Sequence, residues 1–465
     1  MAIQCPTVIP FLALWHSVGL CTMARLEFAA DWQSTGSGPV EQRETSAFLT
    51  VRVGDTVVTR NEDVWSKTVR DSVLVSTYPL AMWLASSWWR LNWEPLPKQG
   101  MRPDAYWRMA HEMGAANEGY VWPHVVFASD NEMMQIWSTV QEPTHEQSVR
   151  YMAAAQASMP LVDFRSGVDG FIEAVLRRLS AVGQPESALA QLWQLVQEDR
   201  ADKQAASYRR IEAALGYDPD EAPEALMRQA QALDEEMGGG SLAELAPIYG
   251  RFGEDASLEL LFELREHPGL LGTPALPRID VALQGFANEP PWVRAVAAAR
   301  RLREEVGVDD GRIDNELLLD LLGLPEFDLA GTEIPGCAGI GIPQQAGQVK
   351  FIPRKRHPLG KRFEYSRFIA DLILVQDAPQ WLTSTDLSTS RQKFQRAFAA
   401  EFLCPFDQVA NFLEGDYSES GIEDAAAHFG VSERTVESML ANNGVIPSPW
   451  LSDYIQVRAP YLMGV

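Results

Sequence analysis

The sequence predicts a multidomain α+β protein: a strand-rich N-terminal domain, a helical middle and a C-terminal α+β unit with a helix-turn-helix-like end. Three observations predict it. The 465 residues suffice for two to four domains, and 46% hydrophobic with 22% charged residues is ordinary for globular chains. Apolar residues alternate with period two between turn signals over residues 23–160, then recur at helical spacing over 165–306. Residues 307–450 mix short strands with amphipathic helices, and 451–465 are left as a tail.

Residues 1–22 hold the apolar run TVIPFLALWHSVGLC. No Lys or Arg precedes it, no small-residue cleavage pattern follows, and it is short for a spanning helix. A disordered leader is expected, or a true start at Met23. No other stretch could span a membrane.

In 23–160, LTVRVGDTVVTR alternates at Leu49, Val51 and Val53, turns at Gly54-Asp55 and resumes at Val57. That is a hairpin signal. VVFASDNEMMQIW predicts a second hairpin that turns at Ser129-Asp130-Asn131. Ten of the fourteen tryptophans precede residue 140, including Trp83, Trp88, Trp89 and Trp93. Large rings filling a small core are expected there rather than a recognition surface. YPLAMWLASSWWRL adds one helix.

In 165–306, Leu189, Leu192, Trp193 and Val196 fall at i, i+3, i+4 and i+7, one helical face. Asp-Pro and Ala-Pro signals start helices in YDPDEAPEALMRQAQALDEEM. GGGS at 238–241 reads as a flexible break.

In 307–450, NELLLDLLGLPEF predicts a short helix, AGIGI and GQVKFIP two strands, KRFEYSRFIADLILVQ (361–376) a helix after a basic loop, and 388–404 a second helix. EDAAAHFGVSERTVESMLANNGV has the small-residue, Gly-turn pattern of a helix-turn-helix. Its second helix offers Glu433, Arg434, Glu437 and Ser438, poor chemistry for a polyanion. A packing role is expected instead.

Charge and cysteine usage narrow the function classes. A formal net charge of −24 repels phosphate backbones and anionic membranes. Cys5, Cys21, Cys337 and Cys404 form no CxxC, which points to a reducing compartment and a cytoplasmic location. GCAGIG at 336–341 does not match the dinucleotide fingerprint, and neither GxxxxGK[ST] nor GxSxG occurs. Cys404, on an apolar face, reads as a buried inert thiol.

Four pieces of the third unit resemble, in order, the ImmA/IrrE-like metallopeptidase domain. They are Arg362-Phe363, AFAAEFLCP at 397–405, HFGVS at 428–432 and NNGVI at 442–446. The resemblance covers roughly 140 of the 465 residues and implies a zincin-like α+β fold; the two upstream regions look like the extra N-terminal domains of a longer bacterial subgroup. In that family the helix after the Arg-Phe pair carries HExxH, whose two histidines bind zinc and whose glutamate is the general base. Carried onto this chain, those positions are Arg367, Phe368 and Asp371. Arg stays protonated and Phe has no proton to exchange. The third ligand would fall near Gln392, Lys393 and Gln395, which offer no carboxylate. Glu401 lies inside the FAAE stretch and is not taken as the ligand. The nearest two of the seven histidines, His111 and His124, are 13 residues apart, so no HxxxH exists; His111-Glu112 is a coincidence.

The expected catalytic and metal residues are therefore none, and the expected cofactor is none. Arg367 and Asp371, one helical turn apart, are expected to form an ion pair where the metal would sit, with Phe368 filling the pocket. A basic patch of Arg354, Lys355, Arg356, Lys361 and Arg362 is a candidate site for an anion or acidic partner, or a solvated loop. The expected function is a non-catalytic pseudo-metallopeptidase. It would be a regulatory or protein-binding module in stress or mobile-element control, with a helix-turn-helix repressor as the partner the resemblance implies. The alternatives are an active zinc-dependent peptidase of this family that cleaves a repressor-like protein, and a DNA-binding regulator.

Overall fold

A computed structural model describes residues 24–447 apart from 34–37, 97–102, 142–147, 239, 252–257, 281–288, 309, 328–337 and 377–379. The expected leader 1–22, the tail 451–465 and the start of GCAGIG lie outside these residues.

The chain opens with β1 (Leu26–Trp32), α1 (Val40–Glu44), β2 (Ser46–Val53), β3 (Thr56–Val57), β4 (Asn61–Asp63), β5 (Val69–Arg70) and β6 (Val73–Ser76). The Gly54-Asp55 turn forms as expected: Val53 pairs with Thr56 across it, and Gly54 takes the positive φ of 55° that the turn requires. Helices α2 (Tyr78–Ser86), α3 (Trp88–Trp93) and α4 (Ala105–His111) follow. One helix was expected over 78–91; the chain breaks it at Ser87. The break lets the consecutive rings of Trp88 and Trp89 both enter the core. Next come β7 (Val125–Ser129), β8 (Met133–Ser138), β9 (Val149–Tyr151) and β10 (Ala155–Pro160). The Asp130 carboxylate accepts from the amides of Glu132 and Met133 and so fixes the β7–β8 turn.

Helices α5 (Leu161–Ala181), α6 (Ala188–Ala201), α7 (Lys203–Ala214), α8 (Glu224–Met237), α9 (Ala246–Tyr249) and α10 (Glu259–Glu266) form the middle. Leu189, Trp193 and Val196 are buried on the predicted face of α6. GGGS differs from the expected flexible break: Ser241 is fully buried and its hydroxyl donates to the Trp381 carbonyl at 2.8 Å. The last part holds β11 (Leu270–Gly272), α11 (Pro291–Glu305), α12 (Asn315–Leu322), β12 (Gly339–Pro343), β13 (Val349–Ile352), α13 (Pro358–Leu374), β14 (Leu382–Ser384), α14 (Ser390–Leu403), α15 (Phe406–Leu413), α16 (Glu419–Phe429) and α17 (Glu433–Asn442). Helix α13 starts at Pro358, so Lys361 and Arg362 lie on the helix rather than in the loop.

Three cores run across the expected boundaries at 160 and 306. The first joins the N-terminal strands to α5, α6 and the start of α7. It holds Trp83, Trp88, Trp89 and Trp122, as a core role for the rings requires; Trp65 is 80% exposed. The second packs α8–α10 on Ile340, Ile342 and Ile352. The third packs α11–α17 on Val349 and Phe351. The antiparallel sheet β11-β13-β12-β14 thus lies between the middle helices and α13. The AGIGI alternation explains the two faces. Its isoleucines meet the middle helices, and its glycines let α13 and β14 come close. A Cβ on Gly339 would stand 2.8 Å from the Glu364 carboxylate and 3.3 Å from Phe368; one on Gly341 would stand 2.8 Å from Leu382. Among the described residues no helix is long and apolar enough to cross a membrane.

Candidate functional site

Helix α13 forms because its apolar residues recur at helical spacing and Pro358 opens its first turn. His357 caps it through Nδ1, which accepts from the Leu359 amide at 3.3 Å. The helix is buried almost all round, from Glu364 to Asp371. Arg367, Phe368 and Asp371 all point into the protein, with 3%, 0% and 0% of their surface exposed.

The expected ion pair between Arg367 and Asp371 does not form. Asp371 is instead held by Arg391 of α14, in a two-pronged contact of 2.6 and 2.8 Å, and accepts from the Thr383 amide at 2.8 Å. Arg391 also donates to the Trp381 carbonyl at 2.9 Å. Two planar forks match better than two side chains stacked along one helix. Arg367 turns to neutral oxygens: the Thr385 carbonyl at 2.7 Å, Gln395 Oε1 at 3.2 Å and Gln392 Oε1. Its Nε is buried without a partner. Burial, then the nearby Arg396 and Arg354, push the guanidinium down to about 9. Phe368 is buried in the core, its ring 5.5 Å from Phe351 and 6.5 Å from Tyr365.

Of the three residues near which the resemblance places a third ligand, Gln392 and Gln395 face Arg367, whereas Lys393 pairs with the Asp130 carboxylate. The two glutamine amide nitrogens donate to the Thr383 carbonyl at 3.1 and 2.8 Å, and the Thr385 amide donates to Gln392 Oε1 at 2.8 Å. Arg367, Asp371, Gln392 and Gln395 therefore do converge, on the outer backbone of β14 and the residue after it. They satisfy an edge strand that otherwise exposes unpaired N–H and C=O groups. This chemistry does not fit zinc. Arg367 has no lone pair to give, the amide oxygens are engaged, and the single carboxylate is saturated by Arg391. Among the described residues no group of three His, Cys, Asp or Glu side chains is placed to hold a metal.

Around this centre lies a wider buried network. Glu364 accepts from Arg354 Nε (3.1 Å), the Lys355 amide (2.9 Å) and the Ser384 hydroxyl (3.0 Å). Arg354 also grips Asp386 at 2.6 and 2.9 Å, which helps hold that carboxyl well below its usual range despite its desolvation. Glu244, from the middle of the chain, accepts from the Thr389 hydroxyl. Its complete burial raises its pKa above the ordinary 4.5. A carboxyl that binds its proton more tightly when folded stabilises the protein at low pH, and loses that contribution as pH rises from about 4.5 through the folded value. In urea titrations between pH 4.5 and 8, the stability difference should therefore move in favour of Glu244→Gln as pH rises; a pH-independent difference would refute the assignment.

The basic residues separate. Arg362 is buried and donates to the carbonyls of Gly430 (3.0 Å) and Ile313 (2.6 Å) and to Asn315 Oδ1 (2.6 Å). Arg354 is spent on Glu364 and Asp386. Lys355 and Arg356 are exposed and Lys361 is half-buried, so the five do not present one continuous cationic face.

Among the other candidates, Glu401 accepts from Arg300 at 2.7 Å and from the Phe406 amide at 3.3 Å. Burial pushes the Cys404 thiol up to about 12, which keeps it inert. His111 is fully buried, stacked on Trp107 at 3.9 Å, with Nε2 3.0 Å from Glu94 and Nδ1 2.9 Å from the Phe127 carbonyl. Arg391, Glu244 and Ser241 were missed by sequence reasoning. Their distances along the chain, 20 residues or more from Asp371, follow no local period that could have flagged them.

Comparison with family models, with curated proteins and with solved structures finds no match to this chain.

Proposed function

We propose that the C-terminal unit is a degenerate ImmA/IrrE-like, zincin-like domain, and that the protein is a non-catalytic regulatory or protein-binding module. One observation carries this reading. Of the positions at which the resemblance places HExxH and its third ligand, Arg367, Asp371, Gln392 and Gln395 meet along residues 383–385, and each is committed to hydrogen bonds there, while Phe368 is packed in the core. The pieces behind the resemblance also share one core. Phe398, Phe402, Phe429 and Val431 are buried in it, Phe363, Val445 and Ile446 pack against it, and the Arg362 guanidinium bonds directly to Gly430 of HFGVS.

A segment-binding groove at the metal positions is a poor candidate for the interaction surface, because Arg367, Asp371 and the glutamines already occupy the backbone groups of residues 383–385. A nearer opening is a cavity of about 170 Å³ between Glu132, Arg294, Gln380, Ser390 and Arg391. A repressor-like protein remains the partner suggested by the resemblance alone.

Metal content tests the reading. The full chain purified without chelators is expected to carry far less than one zinc per molecule by elemental analysis. Zinc at one equivalent that survives dialysis would overturn it and favour the peptidase alternative.

A further inference from the structure

We propose that α3, α5, α6 and α7 build a binding site for a phosphate-class oxyanion, apart from the metal-site positions. Arginines and tryptophans alternate in one stack. Arg200 lies 4.4 Å from the Trp88 ring centre, Arg165 lies 5.8 Å from Trp88 and 5.1 Å from Trp93, and Arg210 lies 4.6 Å from Trp93. The three guanidiniums come from three helices, so the tertiary fold alone assembles them.

Their charge is not balanced by the protein. Asp169 pairs with Arg200 at 2.9 Å. Asp199, the next acid on α6, is taken by Arg209 at 2.8 Å. Arg165 Nε rests on the neutral Asn92 amide oxygen at 2.8 Å. Three cations against one paired carboxylate leave an excess of two positive charges, in a chain whose formal net charge is −24. Burial, then the adjacent Arg200 and Arg210, push Arg165 down to about 10.

Hydrogen bonding is also incomplete. Trp88 Nε1, Trp93 Nε1, Arg165 Nη2 and Arg200 Nη1 are buried N–H donors without partners, as is the acceptor Asp169 Oδ1. Stacking on indole faces attracts a guanidinium but supplies no counter-charge. A phosphate offers both missing terms: two negative charges, and several acceptor oxygens spaced for guanidinium forks. Access exists, because Arg210 is exposed and Arg165 and Arg200 are only half-buried. A purely structural ladder would need neither the charge excess nor an open edge.

The test uses the full chain at low ionic strength, followed by tryptophan fluorescence. It is titrated with inorganic phosphate and with pyrophosphate, against sodium chloride at matched ionic strength. A saturable change is expected with both anions and not with chloride, and the more highly charged pyrophosphate should bind more tightly. Arg210→Gln, at an exposed position, should weaken binding about fivefold or more, as expected for losing one charge-assisted contact. Arg228→Gln, on an exposed side chain of α8, should leave it unchanged. Arg165→Gln should abolish binding while far-ultraviolet circular dichroism stays native. A phosphoserine hexapeptide run alongside names the source: tighter binding than pyrophosphate indicates a phosphoprotein, weaker binding a free polyphosphate. No saturable response beyond chloride overturns the proposal, as does equal affinity in wild type, Arg210→Gln and Arg228→Gln.

Discussion

Asp371→Ala should destabilise the protein by about 3–5 kcal/mol, the range for removing one partner of a buried ion pair. The loss has two parts. The Arg391 guanidinium keeps its charge in a largely buried site, left with the Trp381 carbonyl, the Ser241 hydroxyl and the nearby Glu244 carboxyl. The Thr383 amide loses its acceptor, and β14 loses a contact that ties it to α13. Urea denaturation of wild type, Asp371→Ala and Asp371→Asn measures this. The asparagine keeps an oxygen for Thr383 and so should lose less than the alanine. A loss under about 1 kcal/mol for Asp371→Ala, the size of an exposed pair, would show that the pair is solvated. The original expectation of an Arg367–Asp371 pair predicts that Arg391→Met is harmless. The geometry found here predicts that it destabilises on the same scale as Asp371→Ala.

The second large effect is Phe368→Glu, which places the family's general base at its expected position. The variant should fail to fold. The ring is fully buried against Phe351 and Tyr365, and removing a phenylalanine of that kind costs about 3–5 kcal/mol. The new carboxylate would then sit buried beside the Glu364 carboxylate, already bound to Arg354, which costs several kcal/mol more. Together these approach the whole stability of a typical domain, about 5–15 kcal/mol. Phe368→Leu is the control and should remain folded. Soluble yield and thermal unfolding decide the matter. A well-folded Phe368→Glu variant, above all one that also binds zinc with Arg367→His and Asp371→His, would mean that the centre is open and that the pseudoenzyme reading fails.

These two positions also show how far the sequence could be read. The side-chain types at 367 and 368 sufficed to say that those two positions supply neither a zinc ligand nor a general base, because ligation and proton transfer are properties of functional groups. The hairpins, the helical period after residue 165 and the tryptophan-filled first core were legible for a similar reason: each follows from local periodicity or turn chemistry. The partner of Asp371 was not legible. An i, i+4 rule describes an exposed helix, where only neighbours on that helix compete for a charge. Asp371 is buried, and Arg391 on α14 offers a coplanar fork that no helical neighbour can match.

The same distinction separates the basic island from the arginine–tryptophan stack. Residues 350–362 look like a cationic patch when counted along the chain, yet Arg362 is drawn inside by the Gly430 and Ile313 carbonyls and Arg354 by two carboxylates. Arg165, Arg200 and Arg210 look unremarkable in sequence, being 35 and 10 residues apart, and come together only through packing of α5, α6 and α7 against α3.

By itself the sequence determined which chemistry each position can perform and which segments prefer strand or helix, since both are set by atoms within a few residues of one another. Only the tertiary structure decided which charges meet, which are hidden and which are left over. Those outcomes depend on contacts between residues far apart in the chain, and on an interior that weakens hydration and so lets a distant fork prevail over the nearest neighbour.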